Sequence, residues 1–418
     1  MRTVDTTIPN ILKAGLPALN YDLSDTPEDA RAHIRVAQSQ SPIAMGPVGP
    51  EILSYELARA VLRDSRFSVP PGITLIGQGV TSGPLFDKVM ASLLCISDEA
   101  HQRLRKLVSK AFTPRATSRL HDTINHVVNG LIDQVVDSGR LDVVVDIAKP
   151  YPIPIICALL GAPREDWQLF SAWTENILKA FNFSTNLAEE EPAIMRAWGE
   201  LDAYVDDMIN LRRHNLTDDL LSELIRAEND GDRLSVDELR MMAAALLMAG
   251  TDTTRNQLPA SVQVLCEHPD QWAILQGDPD FAMRAVEESM RHSPIVCGTF
   301  RTVTQDVELG GYIFPAGTFV MVNTGAANRD PEVYEDPDRF DITRKEVPPI
   351  LTFGGGRHYC LGANLARLEL AEALATLARR LPGLHRVEPA PWKPMLGFTG
   401  PIRLVMEFET KSVATANA

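Results

Sequence analysis

The chain has 418 residues, 45% of them hydrophobic and 23% charged, a composition that can bury a large core and excludes a disordered polymer. Its formal net charge of -15 excludes the chain as a whole as a nucleic-acid binder or a protein of anionic membrane surfaces, leaving small molecules and selected proteins as partners. Five scattered cysteines, with no Cys-x-x-Cys pair, fit a reducing cytoplasm rather than a disulfide scaffold.

Between Met1 and Asp25 no basic segment precedes an apolar stretch, so no signal or transit peptide is predicted. The longest clean apolar run, Met241 to Ala249, falls far short of the ~18 residues that suggest a membrane span, and no membrane anchor is expected. Without repeats or linkers the chain reads as one unit over 1–418, with 410–418 a tail. Helical patterning dominates from Thr26 to His268, interrupted by the Gly- and Pro-rich stretch Val69 to Pro84, a predicted long loop.

After that loop, His101 to Phe112 reads as helix. At 100° per residue Leu104, Arg105, Val108 and Phe112 gather around His101, while Arg103, Lys106 and Lys110 lie opposite. Two cationic side chains therefore share an apolar face that contains no acid. A partly buried surface groove or a nonprotein anion would satisfy them.

Ser235 and Glu238 form a capping box, with Leu234 and Leu239 as a hydrophobic staple, so a helix should begin at Val236 and run towards His268. Its middle, Ala249-Gly250-Thr251-Asp252-Thr253-Thr254, places a glycine, a carboxylate and three hydroxyls where a buried helix favours none of them. A polar helix contact or a functional segment would account for this violation. Pro259 should kink the helix near Arg255 or Asn256.

Glu288 and Arg291, at i, i+3 on a predicted helix, form a pair common on solvated faces. Val307–Leu309 and Tyr312–Phe314 flank Gly310-Gly311 as a hairpin. The stretch Phe353-Gly354-Gly355-Gly356-Arg357-His358-Tyr359-Cys360-Leu361-Gly362 precedes a helical pattern from Ala363 to Leu381 that Pro382 stops. Cys360 thus sits at a helix N-terminus, where the dipole and unpaired N–H groups favour a thiolate. Alone it could be an inert cysteine in a glycine-rich turn. Ile402, Leu404, Met406 and Phe408 alternate with Arg403, Val405 and Glu407 as a final strand.

Together these segments resemble the cytochrome P450 family. The cysteine stretch matches its haem-binding loop, Phe-x-x-Gly-x-His/Arg-x-Cys-x-Gly, at every defined position. The resemblance implies a mainly α fold with small β-sheets, in which haem b (iron protoporphyrin IX) lies between the long helix and the cysteine loop. Cys360 is then the axial ligand of the iron, and His101, Arg105, Arg301 and His358 match the donors to the haem propionates. Asp252 and Thr253 match the acid and alcohol that serve oxygen activation. Pro337-Asp338-Arg339-Phe340 matches the second half of the Glu288–Arg291 motif, so that Arg339 would complete a structural Glu288–Arg291–Arg339 network. Ser97-Asp98-Glu99-Ala100, where relatives often carry prolines, is a departure.

The resemblance further implies a haem-thiolate monooxygenase that inserts one atom of dioxygen into a hydrophobic small molecule. Its pocket is placed by analogy at Leu75, Ile76, Val80, Phe181, Phe183, Ala245, Met248, Ile295, Val296 and Phe398. No dinucleotide fingerprint or appended reductase is visible, so electrons are expected from a small acidic iron-sulfur ferredoxin docking near Arg103, Lys106, Lys110 and Arg357. A peroxide-using peroxygenase and a noncatalytic haem-thiolate sensor are the alternatives, and neither requires the Asp252-Thr253 pair.

Overall fold

A long helix begins at Val236, where Ser235 and Glu238 cap one another: the Ser235 hydroxyl accepts from the Glu238 N–H at 3.1 Å, and the Glu238 carboxylate accepts from the Ser235 N–H at 2.9 Å. This is a computed structural model that describes residues 8–22, 24–96, 98–183, 185–229, 234–395 and 397–410. Ser97 and the tail after Thr410 lie outside the described residues.

The helix does not run unbroken to His268. It ends at Ala249 and resumes as Asp252–Glu267. The Gly250 N–H still reaches Leu246 O, but that of Thr251 turns to Met248 O, three residues back, at 3.2 Å. The interruption therefore falls at Gly250–Thr251 rather than at Arg255 or Asn256, and the helix passes through Pro259. Gly250 is suited to this crossing, because a Cβ there would lie 3.1 Å from Ile156 Cδ1.

From Thr254 to Val262 every residue of the second segment is buried, polar ones included. A helix buried on all sides forms the centre of a large domain. It packs against Ala282–His292 and Ala363–Arg380, and the three share one apolar cluster.

The strands form three small sheets. The largest has the order Ile43–Gly46, Gly49–Ile52, Phe319–Val322, Thr299–Val303 and Phe67–Ser68, all neighbours antiparallel except Gly49–Ile52 against Phe319–Val322. Arg301 sits opposite Val320 within it. The expected hairpin is present, with Gly310 and Gly311 both at positive φ, as its two-residue turn demands. At the C-terminus only Val405–Glu407 is strand; Val405, assigned to the polar face by alternation, is buried, and Ile402 is exposed.

The Val69–Pro84 stretch contains a short helix, Ile73–Ile76, and leads into Pro84–Met90. The basic segment forms a helix, Asp98–Val108, continued by a 3-10 turn, Ser109–Phe112, and buries His101, Leu104, Val108 and Phe112 as its angular layout predicts. Val143–Leu160 has the length and hydropathy of a membrane span. It divides into Val143–Ala148 and Pro152–Leu160, however, and Ile147, Tyr151, Ile153 and Ile155 are fully buried in the core.

Candidate active site

Cys360 lies just before the Ala363–Arg380 helix, its N–H bonded to Phe353 O at 2.9 Å. The approach is tight: Gly356 has φ +62°, and a Cβ on it would come 2.5 Å from Leu62 O. The loop is thereby clamped against the Tyr55–Arg63 helix. The thiol is accessible, yet surrounding protein raises its pKa by desolvation; the Gly362 N–H and the charges of Arg105 and Arg367 act the other way. The Gly362 N–H, at the start of the helix, acts in the direction expected of a helix N-terminus, while burial acts against it.

Beside the loop the structure gathers basic groups, and His101, Arg105, Arg301 and His358 pair with no carboxylate among the described residues. The rings of His101 and His358 stand 4.3 Å apart, and the buried Nδ1 of His101 has no hydrogen-bond partner. Arg301, buried, bonds only the Thr299 hydroxyl and Phe300 O among the described residues, and burial pushes its pKa down to about 10. Arg105 donates to Tyr359 O, and burial lowers its pKa as well. His358 is pushed down to about 4, first by burial and then by the neighbouring His101 and arginines. A self-repelling, desolvated donor set of this kind suits a ligand bearing more than one carboxylate, and next to a lone thiol it fits haem b with its two propionates.

Asp252 and Thr253 open the second helical segment at its break. The Thr253 hydroxyl makes a long bond, 3.3 Å, to Ala249 O. Asp252 pairs with Arg255 at 3.5 Å; burial raises its pKa against the pull of Arg255 and Lys393. Arg255 also reaches Ser171 Oγ, Lys149 O and Glu175. These partners escape a local sequence reading because they come from distant segments.

Glu369 could have been found, since it falls on the same helix face as Leu365. It is fully buried, pushed up to about 8 by desolvation, and paired with the Thr254 hydroxyl at 3.0 Å, while the Tyr151 hydroxyl donates to its backbone carbonyl at 2.7 Å.

The Glu288–Arg291 pair is buried and bidentate, 2.7 and 2.9 Å. Arg339 is not its third side chain. The Arg339 guanidinium is 62% exposed and turns to Asp341, and only its backbone carbonyl accepts from Arg291. Arg344, 13% exposed, reaches Glu288 instead at 3.1 Å. The chain's turn after Phe340 brings Asp341 N–H onto Glu288 as well, which directs Arg344 inward.

Of the nominated pocket residues, Ala245 and Met248 line a cavity of about 420 Å³ together with Trp198 and the Lys88–Asp202 pair. Leu75, Met248 and Ile295 are buried, Val80 and Phe181 pack on the core, Val296 is half-buried, and Ile76 and Phe398 are exposed. Phe183 meets Phe300, which the sequence did not single out, at 5.6 Å, and Phe300 stacks on Phe319.

The fold and site thus define a helical protein whose site combines the Cys360 thiol, a cationic cradle and an acid-alcohol pair set in a broken helix. The family model described as Cytochrome P450 matches residues 89–280 and 280–382. The nocardicin C N-oxygenase of Nocardia uniformis subsp. tsuyamanensis is 37% identical, with 84% of this chain and 88% of that protein covered. Cytochrome P450 monooxygenase PikC of Streptomyces venezuelae is 36% identical over 91% and 89%. The crystal structure of CalO2 superposes with a TM-score of 0.87 at 32% identity, covering 94% of this chain and 99% of that one. The chain belongs to the cytochrome P450 family, and with membership come the haem b cofactor and monooxygenase activity on a small molecule with dioxygen.

Proposed function

We propose that this enzyme inserts one oxygen atom into a hydrophobic small molecule, using electrons from a separate iron-sulfur ferredoxin and its reductase. The observation that carries the reading is the Asp252-Thr253 pair at the helix break, with the Asp252 carboxyl raised by burial and a long, readily exchanged Thr253 bond. Haem bound at Cys360 supplies the activation of dioxygen.

The remaining roles belong to side chains. Cys360 Sγ would hold the iron, with the Gly362 N–H steadying the sulfur, and His101, Arg105, Arg301 and His358 would hold the propionates. Asp252 takes up a proton on the side of Arg255 and Glu175 and passes it toward the Thr253 hydroxyl, which gives up Ala249 O to face the oxygen site. Glu288, Arg291 and Arg344 hold the segment after Pro337, with Arg339 contributing its carbonyl. Ala245, Met248, Ile295 and Val296, with the aromatic group around Phe183, form the apolar wall that excludes water and selects the substrate.

The donor docks on exposed Lys106 and Lys110 with Arg357, a cationic face on an acidic protein. Arg103 is removed from this patch because it pairs with Glu238. The chain acts as a single unit over 1–418 in the cytoplasm, a reading supported by its five unpaired cysteines.

Cys360→Ser should abolish the thiolate-type spectrum of the reduced carbon monoxide complex; survival of that spectrum overturns the ligand assignment. Thr253→Ala should keep consuming reductant while releasing hydrogen peroxide in place of product. Unchanged coupling would favour the peroxygenase or sensor reading.

A further inference from the structure

A second cavity, about 570 Å³, lies away from the residues assigned to the haem. It is enclosed by the Pro27–Gln40 helix, the end of the Asp252–Glu267 helix, the segment after His292 and the stretch around Trp392. Its volume is in the range of small-molecule sites. Part of its wall is apolar, formed by Ile34, Val264, Pro294, Cys297, Trp392 and Met395. The Trp392 indole N–H is already bonded to Gln263 at 2.9 Å, which leaves the ring as an apolar face.

The charges on its wall are unevenly paired. Arg329, its side chain 10% exposed, spends one nitrogen on Asp338 at 2.7 Å and another on His292 O. Asp338 is shared with Arg35 at 3.3 Å. Arg31 makes no ion pair among the described residues, and its charge acts on Arg329, His292 and the buried Cys297. His292 cannot take up negative charge, and burial with these arginines holds it neutral, down to about 2. The other carboxylates on the wall, Glu28 and Glu267, are exposed, and Glu267 is tied to Arg386 at 2.9 Å. Three guanidinium groups, those of Arg31, Arg35 and Arg329, therefore line one partly apolar cavity, and Asp338 is shared between Arg35 and Arg329.

We propose that this cavity is a second ligand site, taking a small amphipathic carboxylate whose acid group lies between Arg31 and Arg329 and whose apolar body lies against Trp392, Ile34 and Met395. The carboxylate offsets the repulsion between the two arginines, and Arg supplies the planar fork that such a group accepts. The body replaces water on an apolar wall.

The test uses the ferric holoenzyme with its iron capped by saturating phenylimidazole, so that binding at the haem is excluded. Calorimetric titration with phenylbutyrate should show one further site, and the uncharged phenylbutyramide should bind about tenfold more weakly or worse, as expected for loss of a charge-assisted contact. Arg31→Gln, a change on a half-buried helix position, should bring the acid down to the affinity of the amide. Ile34→Trp, which fills the chamber, should abolish binding of both. Equal affinity of acid and amide, insensitivity to both substitutions, or no binding once the iron is capped would each overturn the proposal. The reduced carbon monoxide spectrum of the same variants should remain that of the parent, which separates failure of this site from failure of the thiolate reading.

Discussion

Replacing Arg344 with methionine should destabilise the protein by about 1.5–3 kcal/mol, the value of a charge-assisted bond to a buried group, whereas the same change at Arg339 should cost less than about 1 kcal/mol. Glu288 is nearly inaccessible, and its Oε1 accepts from Arg291, from the Asp341 N–H and from Arg344. Removing Arg344 leaves a buried carboxylate with less compensation. The carbonyls of Glu335, Asp336 and Arg339 that Arg344 also binds belong to exposed residues, so water replaces those bonds and they add little. The Arg339 guanidinium is mostly solvated and loses one ion pair to Asp341. Urea titration of both holo variants, followed by circular dichroism and by Soret absorbance at fixed protein and haem concentration, reads the difference. Arg339→Met as damaging as Arg344→Met would refute the assignment of Arg344 to the network.

Glu369 should make stability fall as pH rises. Its carboxyl is raised from 4.5 to about 8 in the fold, so between those values the folded state holds a proton that the unfolded state has released. The slope contributed is about 1.4 kcal/mol per pH unit, unfavourable with increasing pH. Glu369→Gln should flatten the dependence in that window, and an unchanged pH profile of unfolding would show that the group is ionised in place. Charge reversal at Lys106 and Lys110 together should raise the KM for a ferredoxin donor several-fold at low ionic strength, with the effect fading as salt is added. Salt-independent kinetics would remove those lysines from the docking face.

Much of the site was legible because its chemistry violates local rules. A carboxylate and hydroxyls in mid-helix and cations on an apolar face stand out without knowledge of the fold, whereas the cysteine behind three glycines took its meaning from the resemblance of the whole loop. The capping box at Ser235 was legible for a related reason, since both partners lie within one turn.

What escaped the sequence depends on contacts between distant segments. Arg339 and Arg344 are equally good arginines on paper, and only the turn after Phe340 decides which one faces Glu288. Pro259 carries the stronger local signal for a helix defect, yet the helix continues through it, and the break occurs at Gly250, which Ile156 crowds from another helix. The desolvation that raises the Cys360 thiol likewise comes from residues distant in the chain.

The bond between Thr254 and Glu369 gives the molecule a rigid caliper. One jaw is the helix that starts just after Cys360; the other starts at Asp252 and carries Thr253 beside the joint. Because the Thr254 hydroxyl donates to a buried carboxyl group and Tyr151 braces the same residue, two stiff rods fix the ends from which the cysteine loop and the Thr253 hydroxyl project. Sequence drift in the loops can therefore proceed while the two helices keep their mutual setting.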